Sequence, residues 1–211
     1  MTVGDNQRHK RLRLLLKKLN KDRKKQAKKT DILCNDLIGA QRDFIRKLKT
    51  ISFTANFYES IVGMTELNTL LYTAAKQIGN EKHDTNIIFF LREAESFEIY
   101  LPGNDRPPAL DKEQLADCFT PESMDNICKS NKICSLEDMY QLGLQGNLAG
   151  LNGTSAVTIP LGLFGSPLGF MFVYRSSDDK LTADETDDIS AVTSGLSQAI
   201  VSCRALSRTA N

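Results

Sequence analysis

Three cysteines that lie close together in the second half of the chain are the residues best suited to covalent chemistry. Cys118, Cys128 and Cys134 fall within one 17-residue stretch, and a group of thiols at such spacing could act as a redox trio. A reactive thiol needs a neighbouring histidine or a Cys-x-x-Cys partner to lower its pKa, and neither is present here. We therefore expect reduced, small apolar core residues, and a redox role is the alternative.

Metal binding and acid–base catalysis have little support in the remaining candidate residues. His9 and His83 lie far from the cysteines in the sequence, so a zinc site is not expected. A turn before a strand is predicted around His83, which favours a solvated polar side chain over a general base. The carboxylates at 184, 185, 187 and 188 crowd the start of a predicted helix, where the helix dipole favours negative charge. We predict no catalytic residue and no metal.

The charge of the chain is divided between two regions. Residues 1–50 carry 16 Lys and Arg against 5 Asp and Glu, a net charge of +11, whereas the whole chain has a net charge of only +1. Residues 51–211 are therefore acidic, with a net charge of −10. This asymmetry predicts a basic arm over residues 1–30 and a separate acidic domain.

The basic arm has three interpretations. Its Lys, Arg, Gln and Leu residues favour helix, and the simplest interpretation is a solvated helix or tail. The cations of residues 8–29 could instead contact nucleic-acid phosphates, although no aromatic residue is interleaved for base stacking. An anionic membrane surface is the third interpretation, and its few leucines would give weak anchoring.

An apolar stripe with heptad-like spacing follows the arm over residues 31–62. It has one extra four-residue step near Phe44, a stutter that locally unwinds a supercoil. A helix with one apolar stripe must bury it, and an identical chain is the most available partner. We predict a parallel homodimer through this coiled-coil helix. The predicted seam consists of Leu33, Leu37, Phe44, Leu48, Ile51, Tyr58 and Val62.

The rest of the chain mixes helix and strand patterns after a predicted break at Gly63. In order, the predicted elements are a helix over 65–78, strands over 86–91 and 98–101, helical pieces over 111–130, a short strand over 132–136, a helix or loop over 136–148, strands over 154–161 and 168–175, and a helix from Thr182 to about Arg208. Gly79 and Asn80 are expected to end the first of these helices, and Thr120, ahead of Pro121, and Thr182 are expected to cap the starts of two later ones. Strands joined by hairpins predict an α+β fold, an antiparallel sheet with helices packed on it.

Three segments in this order resemble a known family. They are Ala156-Val-Thr-Ile-Pro-Leu161, Leu168-Gly-Phe-Met-Phe-Val-Tyr174 and Leu181-Thr-Ala-Asp-Glu185. The combination resembles the end of a GAF domain, a small-molecule sensing module, and 65–78 is similar to its opening helix. The resemblance implies a GAF-like domain over 63–208, preceded by the long helix.

The resemblance implies a ligand pocket between the sheet and a covering loop over 137–152. Phe170, Phe172, Tyr140 and Asn147 would line it. The cysteine contexts of bilin-binding and methionine-sulfoxide-reducing members are missing, and the cyclic-nucleotide pattern is only echoed at 179–185. The ligand and any cofactor therefore stay unknown.

Taken together, the sequence predicts a non-enzymatic sensory or regulatory module that acts through a dimeric helical stalk. The alternatives are a thiol-dependent enzyme like the free methionine sulfoxide reductases, and a nucleic-acid-binding regulator. No kinase, cyclase or phosphatase pattern accompanies the domain, so a separate output protein is expected. No apolar run is long enough to cross a bilayer and no signal peptide is apparent, which predicts a cytoplasmic protein.

Overall fold

A computed structural model describes residues 3–82, 85–94, 96–102, 110–145, 154–176 and 178–209, with side chains described from residue 8 onward. Contacts divide the chain into two compact units, residues 1–49 and residues 50–211. The elements are α1 (Val3–Ile61), α2 (Leu67–Glu81), β1 (Asn86–Glu93), β2 (Ser96–Tyr100), α3 (Lys112–Cys118), α4 (Pro121–Ser130), β3 (Cys134–Ser135), α5 (Leu136–Gln141), β4 (Thr154–Leu163), β5 (Ser166–Ser176) and α6 (Ala183–Thr209).

The first unit consists of α1 up to Lys49. Every side chain from Arg8 to Lys49 is exposed, including the predicted seam residues Leu33, Leu37 and Phe44. The uninterrupted helix agrees with the absence of Pro and the strong helix propensity of Lys, Arg and Leu. A long amphipathic helix gains most of its stability from burial of its apolar face. The exposed stripe therefore does not stabilise this helix within a single chain.

The second unit begins at Thr50, earlier than the predicted domain boundary at residue 63, because the last turns of α1 belong to its core. Phe53, Phe57 and Ile61 are 5%, 0% and 5% exposed. Gly63 lies just after the end of α1, where the sequence predicted a break. Its φ of +79° is a backbone conformation that glycine adopts without strain.

The centre of this unit is a five-stranded antiparallel sheet in the order β2-β1-β5-β4-β3, as the sequence predicted. Because neighbouring residues of a strand face opposite sides, β5 supplies both faces. Met171 and Val173 pack with α2, α6 and the end of α1, and Phe170, Phe172 and Tyr174 pack with α3, α4 and α5. The result is an α+β fold with helices on both faces of the sheet.

Side-chain caps set most helix starts as the sequence indicated. Thr120 caps α4 ahead of Pro121, and Thr182 Oγ1 accepts the backbone N–H of Glu185 at the start of α6. The predicted end of α2 is wrong. The helix continues through Gly79 and Asn80 to Glu81, because Gly79 is buried in the helix and tertiary packing outweighs the roughly 1 kcal/mol cost of glycine in a helix.

Among the described residues, the outer edge of β4 is only partly covered. The two residues of β3 pair with Val157 and Thr158, so the strand extends beyond its neighbour. Pro160 has no N–H to donate at this edge, and the Gly162 N–H donates to Ser197 Oγ of α6 at 3.1 Å. Neither residue therefore presents a free backbone donor to another strand. In the described part of the chain, no helix is long and apolar enough to cross a membrane.

Candidate functional site

The sheet face covered by α3, α4 and α5 carries a cluster of stacked aromatic side chains. Phe170 lies parallel to Phe90 with ring centroids 4.7 Å apart, and Phe119 lies 4.7 Å from Phe90 and 5.4 Å from Phe172. Tyr174 extends the stack from Phe172. All five rings are at most 1% exposed, so this face is a closed aromatic core in which any ligand would contact carbon-rich surfaces.

The predicted ligand-binding residues are only partly brought together. Phe170 and Phe172 are neighbours on this face, whereas Tyr140 lies on α5 and is 41% exposed. Met139 supplies the buried side chain of that short helix. Asn147 lies outside the described residues. The structure thus brings Phe170 and Phe172 together in a closed core, and a ligand-binding role for the four residues stays a prediction.

Thr158 is a polar residue on the same face that the sequence did not single out. It follows Ala156 of the aromatic face at the two-residue strand period, and its register partners are Cys134 and Phe172. Thr158 is fully buried, and its Oγ1 has no hydrogen-bond partner in the described part of the chain. Buried hydroxyls normally have a partner, so this one is the polar group here best placed to accept or donate to a ligand or water. Threonine is common in strands, so no sequence signal marks it.

We predict that Thr158→Val stabilises the protein purified without ligand. The substitution keeps the shape of the side chain and removes a hydroxyl whose burial is uncompensated, so the free energy of unfolding should rise by about 1 kcal/mol. Thr158→Ser, which keeps the hydroxyl and loses a methyl group, should lower it by a similar amount. Urea unfolding followed by circular dichroism measures both, and a loss of stability in the valine variant would contradict the prediction.

The three clustered cysteines are buried and poorly suited to nucleophilic chemistry. Burial raises the pKa of the Cys128 thiol to about 12, and burial together with Asp117 raises the pKa of Cys118. Cys134 is 4% exposed and lies in hydrogen-bonding distance of Ser130 Oγ and the Lys132 carbonyl. Protonated buried thiols do not attack electrophiles readily, so the geometry favours their expected role as core residues.

The free cysteines give a direct test of this geometry. Cys34 is exposed and the other four cysteines are buried, so a thiol reagent should label one cysteine of the native protein rapidly. We expect Cys34→Ser to abolish the rapid phase, measured by the release of thionitrobenzoate from Ellman's reagent. Rapid labelling of Cys118, Cys128 or Cys134, identified by peptide mass spectrometry, would contradict the prediction. Unfolding in denaturant should expose all five.

The remaining candidates for metal binding or acid–base chemistry have structural roles or stay apart. His9 is exposed on α1, and His83 lies outside the described residues. No group of three or more metal-ligating side chains forms within the described ranges. Asp188 accepts hydrogen bonds from Lys82 Nζ and from Thr50 Oγ1, which joins α1, α2 and α6.

Glu185 joins α6 to the buried Arg175 of β5. Arg175 Nη2 donates to the Glu185 carboxylate, and Thr182 donates to the same oxygen. Burial acts to raise the pKa of Glu185, but these hydrogen bonds outweigh it and hold the pKa below its ordinary value. The acidic start of α6 therefore closes a charged contact in the domain.

This contact predicts a loss of stability in acid. A carboxyl with a folded-state pKa below its unfolded value stabilises the protein above the unfolded pKa, and this contribution disappears as the pH falls through the folded pKa. The free energy of unfolding should thus fall from about pH 5 to about pH 3, and Glu185→Gln should flatten part of that slope. Glu59→Gln, at an exposed position of α1, is the control. Equal slopes in the wild type and Glu185→Gln would contradict the prediction.

Clefts in the second unit also lie outside the aromatic cluster. One, of about 410 Å³, runs between the end of α1 and α6 and is lined by Tyr58, Ile61, Val62 and Leu206 among others. Another, of about 470 Å³, lies beside the β4–β5 hairpin and includes Lys129, Asn131 and Thr193. The first is mainly apolar and adjoins two predicted seam residues.

Comparisons with known proteins identify the fold. No protein-family model and no curated protein matches the chain. Among solved structures, the GAF domain of a phosphoenolpyruvate-protein phosphotransferase from Coxiella burnetii superposes with a TM-score of 0.58 at 11% identity, over 76% of this chain and 98% of that chain. The corresponding Acinetobacter domain gives 0.54 at 14% identity, with the same coverage of both chains. The fRMsr of Staphylococcus aureus in complex with substrate gives 0.50 at 10% identity, over 72% of this chain and 95% of that chain.

These likenesses define a class of fold. The five-stranded antiparallel sheet with its covering helices is a GAF-like α+β fold, as the sequence resemblance implied. At 10–14% identity the likeness extends to the fold alone, and function must be argued from the residues of this chain.

Proposed function

We propose that the protein is a non-enzymatic GAF-type sensory or regulatory module that binds a small molecule or a partner protein and relays binding through a dimeric helical stalk, residues 31–62. The observation that carries the proposal is the burial of Phe53, Phe57 and Ile61. These residues of α1 pack on the face of the sheet opposite the aromatic rings, and β5 contributes side chains to both faces, so we propose that ligand-induced repacking is relayed to the end of α1 through β5.

The exposed stripe of α1 supports the dimer. Its large apolar side chains are 48–68% exposed, and a stripe repeated at heptad-like spacing favours pairing with an identical helix. These residues are Leu33, Leu37, Phe44, Leu48 and Ile51. Burial of each side chain would contribute about 1–2 kcal/mol, because much of its apolar area is open to water.

The C-terminal helix would complete the interface. Tyr58 is half-buried against Gly195 of α6, and the apolar cleft beside it is lined by Val62 and Leu206. Val62 is 78% exposed and Leu206 is 49% exposed, so both offer apolar area to a second copy. We propose that pairing extends from the stripe of α1 to this cleft.

The ligand site that we propose lies on the aromatic face and uses Phe170 and Phe172 with Tyr140 and Asn147. The unpartnered Thr158 hydroxyl supports this choice, because it offers the buried aromatic face one polar anchor. The closed packing of the rings implies that α3–α5 must shift to admit a ligand. The GAF domains of the two phosphotransferases support a regulatory role by analogy.

The cysteines support a cytoplasmic site of action. Cys118, Cys128, Cys134 and Cys203 are buried as free thiols, and Cys34 is free and exposed. Free thiols persist in reducing compartments. The output is proposed to be a separate protein that contacts the paired stalk.

Cysteine cross-linking tests the dimer. In a Cys34→Ser background, Leu37→Cys should form a covalent dimer on mild oxidation, because Leu37 lies opposite its own copy in a parallel seam. Asn35 lies on the other side of the helix, so Asn35→Cys is the matched control. Cross-linking of both variants alike, or of neither, would overturn the parallel seam.

Native mass spectrometry tests the sensory function on the full chain. We expect a dimer mass, with an added small-molecule mass that weakens in a Phe172→Leu variant. A lone subunit at micromolar concentration would overturn the proposed dimeric stalk. Ligand binding that Phe172→Leu does not weaken would overturn the proposed ligand site.

A thiol-dependent enzyme like the free methionine sulfoxide reductases is the second candidate, favoured by the fold likeness to the Staphylococcus aureus fRMsr. The buried thiols, with the raised pKa of Cys118 and Cys128, argue against it. NADPH-coupled reduction of free methionine sulfoxide before and after alkylation separates the candidates. Activity that alkylation removes would replace our proposal.

A further inference from the structure

We propose that residues 8–29 of α1 bind the phosphate backbone of duplex nucleic acid. Twelve Lys and Arg residues stand here against a single acid, Asp22. All of these residues are exposed and helical. Among the described residues no ion pair neutralises any of the twelve cations, so the arm presents its full charge to solvent.

Five of the twelve cations form a line along one side of the helix. Spacings of seven, four, three and four residues place five lysines on a single line, because an α-helix has 3.6 residues per turn. They are Lys10, Lys17, Lys21, Lys24 and Lys28. The line spans about 27 Å at 1.5 Å per residue. Over that length a duplex presents about 16 phosphates, one per roughly 1.7 Å of axis, so phosphates outnumber the five lysines about threefold.

The opposite side of the arm favours a nucleic acid over a membrane. Leu12, Leu15, Leu16 and Leu19 lie away from the lysine line, but the same side continues as Arg23 and Gln26. The apolar side thus ends at Leu19 while the lysine line continues to Lys28. A helix that lies on a membrane surface needs its apolar side and its basic side to extend over the same residues, and it is helped by aromatic side chains. Residues 8–29 contain no Phe, Tyr or Trp.

The position of the arm fits a duplex as well. The arm directly precedes the predicted coiled-coil seam within one continuous helix, α1. Basic regions that continue from a parallel coiled coil are known to fork across a duplex. In the parallel dimer proposed above, two arms would emerge at the same end and double the number of phosphate contacts. The lack of aromatic side chains to stack on bases indicates backbone binding without sequence preference.

Fluorescence anisotropy of the full chain with a labelled duplex of about three helical turns tests the proposal. We expect micromolar affinity at low salt, which falls steeply from about 50 to 200 mM salt. A variant with Lys17, Lys21, Lys24 and Lys28 changed to Gln should bind about tenfold more weakly or worse, with a salt dependence flattened by up to about 3.6 in log–log slope for four lost contacts. The same four positions changed to Arg should keep both affinity and slope.

The matched control changes four exposed lysines of the domain, Lys76, Lys112, Lys132 and Lys180, to Gln. This control changes the net charge by the same amount as the Gln variant of the arm. Its affinity for the duplex should stay within about twofold of the wild type, since these lysines lie outside the arm. An equal loss in the control, no binding at low salt, or binding of phosphatidylserine vesicles in place of the duplex would overturn the proposal. Sedimentation reports the subunit count separately, so a monomer that still binds the duplex would refute the dimer and leave the arm's role intact.

Discussion

Gly169→Ala should destabilise the domain by about 3 kcal/mol or more, the largest loss that we expect from any single methyl group. Gly169 has a φ of +145°, and an added Cβ would lie 2.0 Å from the backbone oxygen of Phe90. The contact is with backbone in the pairing of β5 with β1, so it cannot be relieved by a side-chain rotation. The strands would have to separate under the aromatic cluster.

A second glycine provides the control for this effect. Gly165, at the β4–β5 turn, has a φ of +80°, but nothing lies within 4 Å of an added Cβ. Gly165→Ala therefore suffers conformational strain alone and should cost about 1 kcal/mol. Thermal unfolding by calorimetry measures both variants. Equal losses would show that the close approach of β5 to β1 is unimportant.

Phe57→Ala should cost about 3–5 kcal/mol, the usual range for a fully buried phenylalanine. Phe57 is 0% exposed and packs beside Phe53, with ring centroids 6.2 Å apart. The residue belongs to the long helix, so the loss would show that the end of α1 is a structural part of the domain. This is the contact on which the proposed relay depends.

Phe164→Ala is the matched control, since that ring is fully exposed at the β4–β5 turn and its removal should change stability by less than about 0.5 kcal/mol. Phe44→Ala removes a ring from the apolar stripe of residues 31–62 and should weaken subunit association, while the domain keeps its stability. Urea unfolding at several protein concentrations measures both effects. A small loss in Phe57→Ala would contradict the proposed relay.

The sheet could be predicted from the sequence because its signals are local. β4 and β5 show strand residues around a Gly- and Pro-containing turn, and the structure confirms them with slightly longer bounds. Predicted caps at Thr120 and Thr182 were confirmed for the same reason. The predicted end of α2 was wrong because the burial of Gly79 is a tertiary effect that no local sequence pattern records.

The end of α1 shows where a pattern is insufficient. Tyr58 and Val62 continue the heptad-like spacing, but Phe53, Phe57 and Ile61 form a second apolar face on another side of the helix. The domain buries this second face. Two apolar faces on one helix do not reveal which of them meets the core, so the start of the compact unit at Thr50 required the structure.

The candidate site was predictable only in part. Alternation along β5 placed Phe170 and Phe172 on one face, which the structure confirms. The exposure of Tyr140 depends on which side of the six-residue helix α5 turns inward, and so short a pattern does not decide it. The unpartnered Thr158 hydroxyl depends on the surroundings of the side chain, which a sequence does not contain.

The edge of β4 also limits how copies of this protein can assemble. Pro160 and the bond from Gly162 to Ser197 leave no donor at two positions where an incoming strand would seek one. Sheet-to-sheet growth, the route to fibrils, is therefore discouraged at this margin. Any contact between copies at these two positions would therefore rest on side chains and would lack the backbone hydrogen bonds of strand pairing.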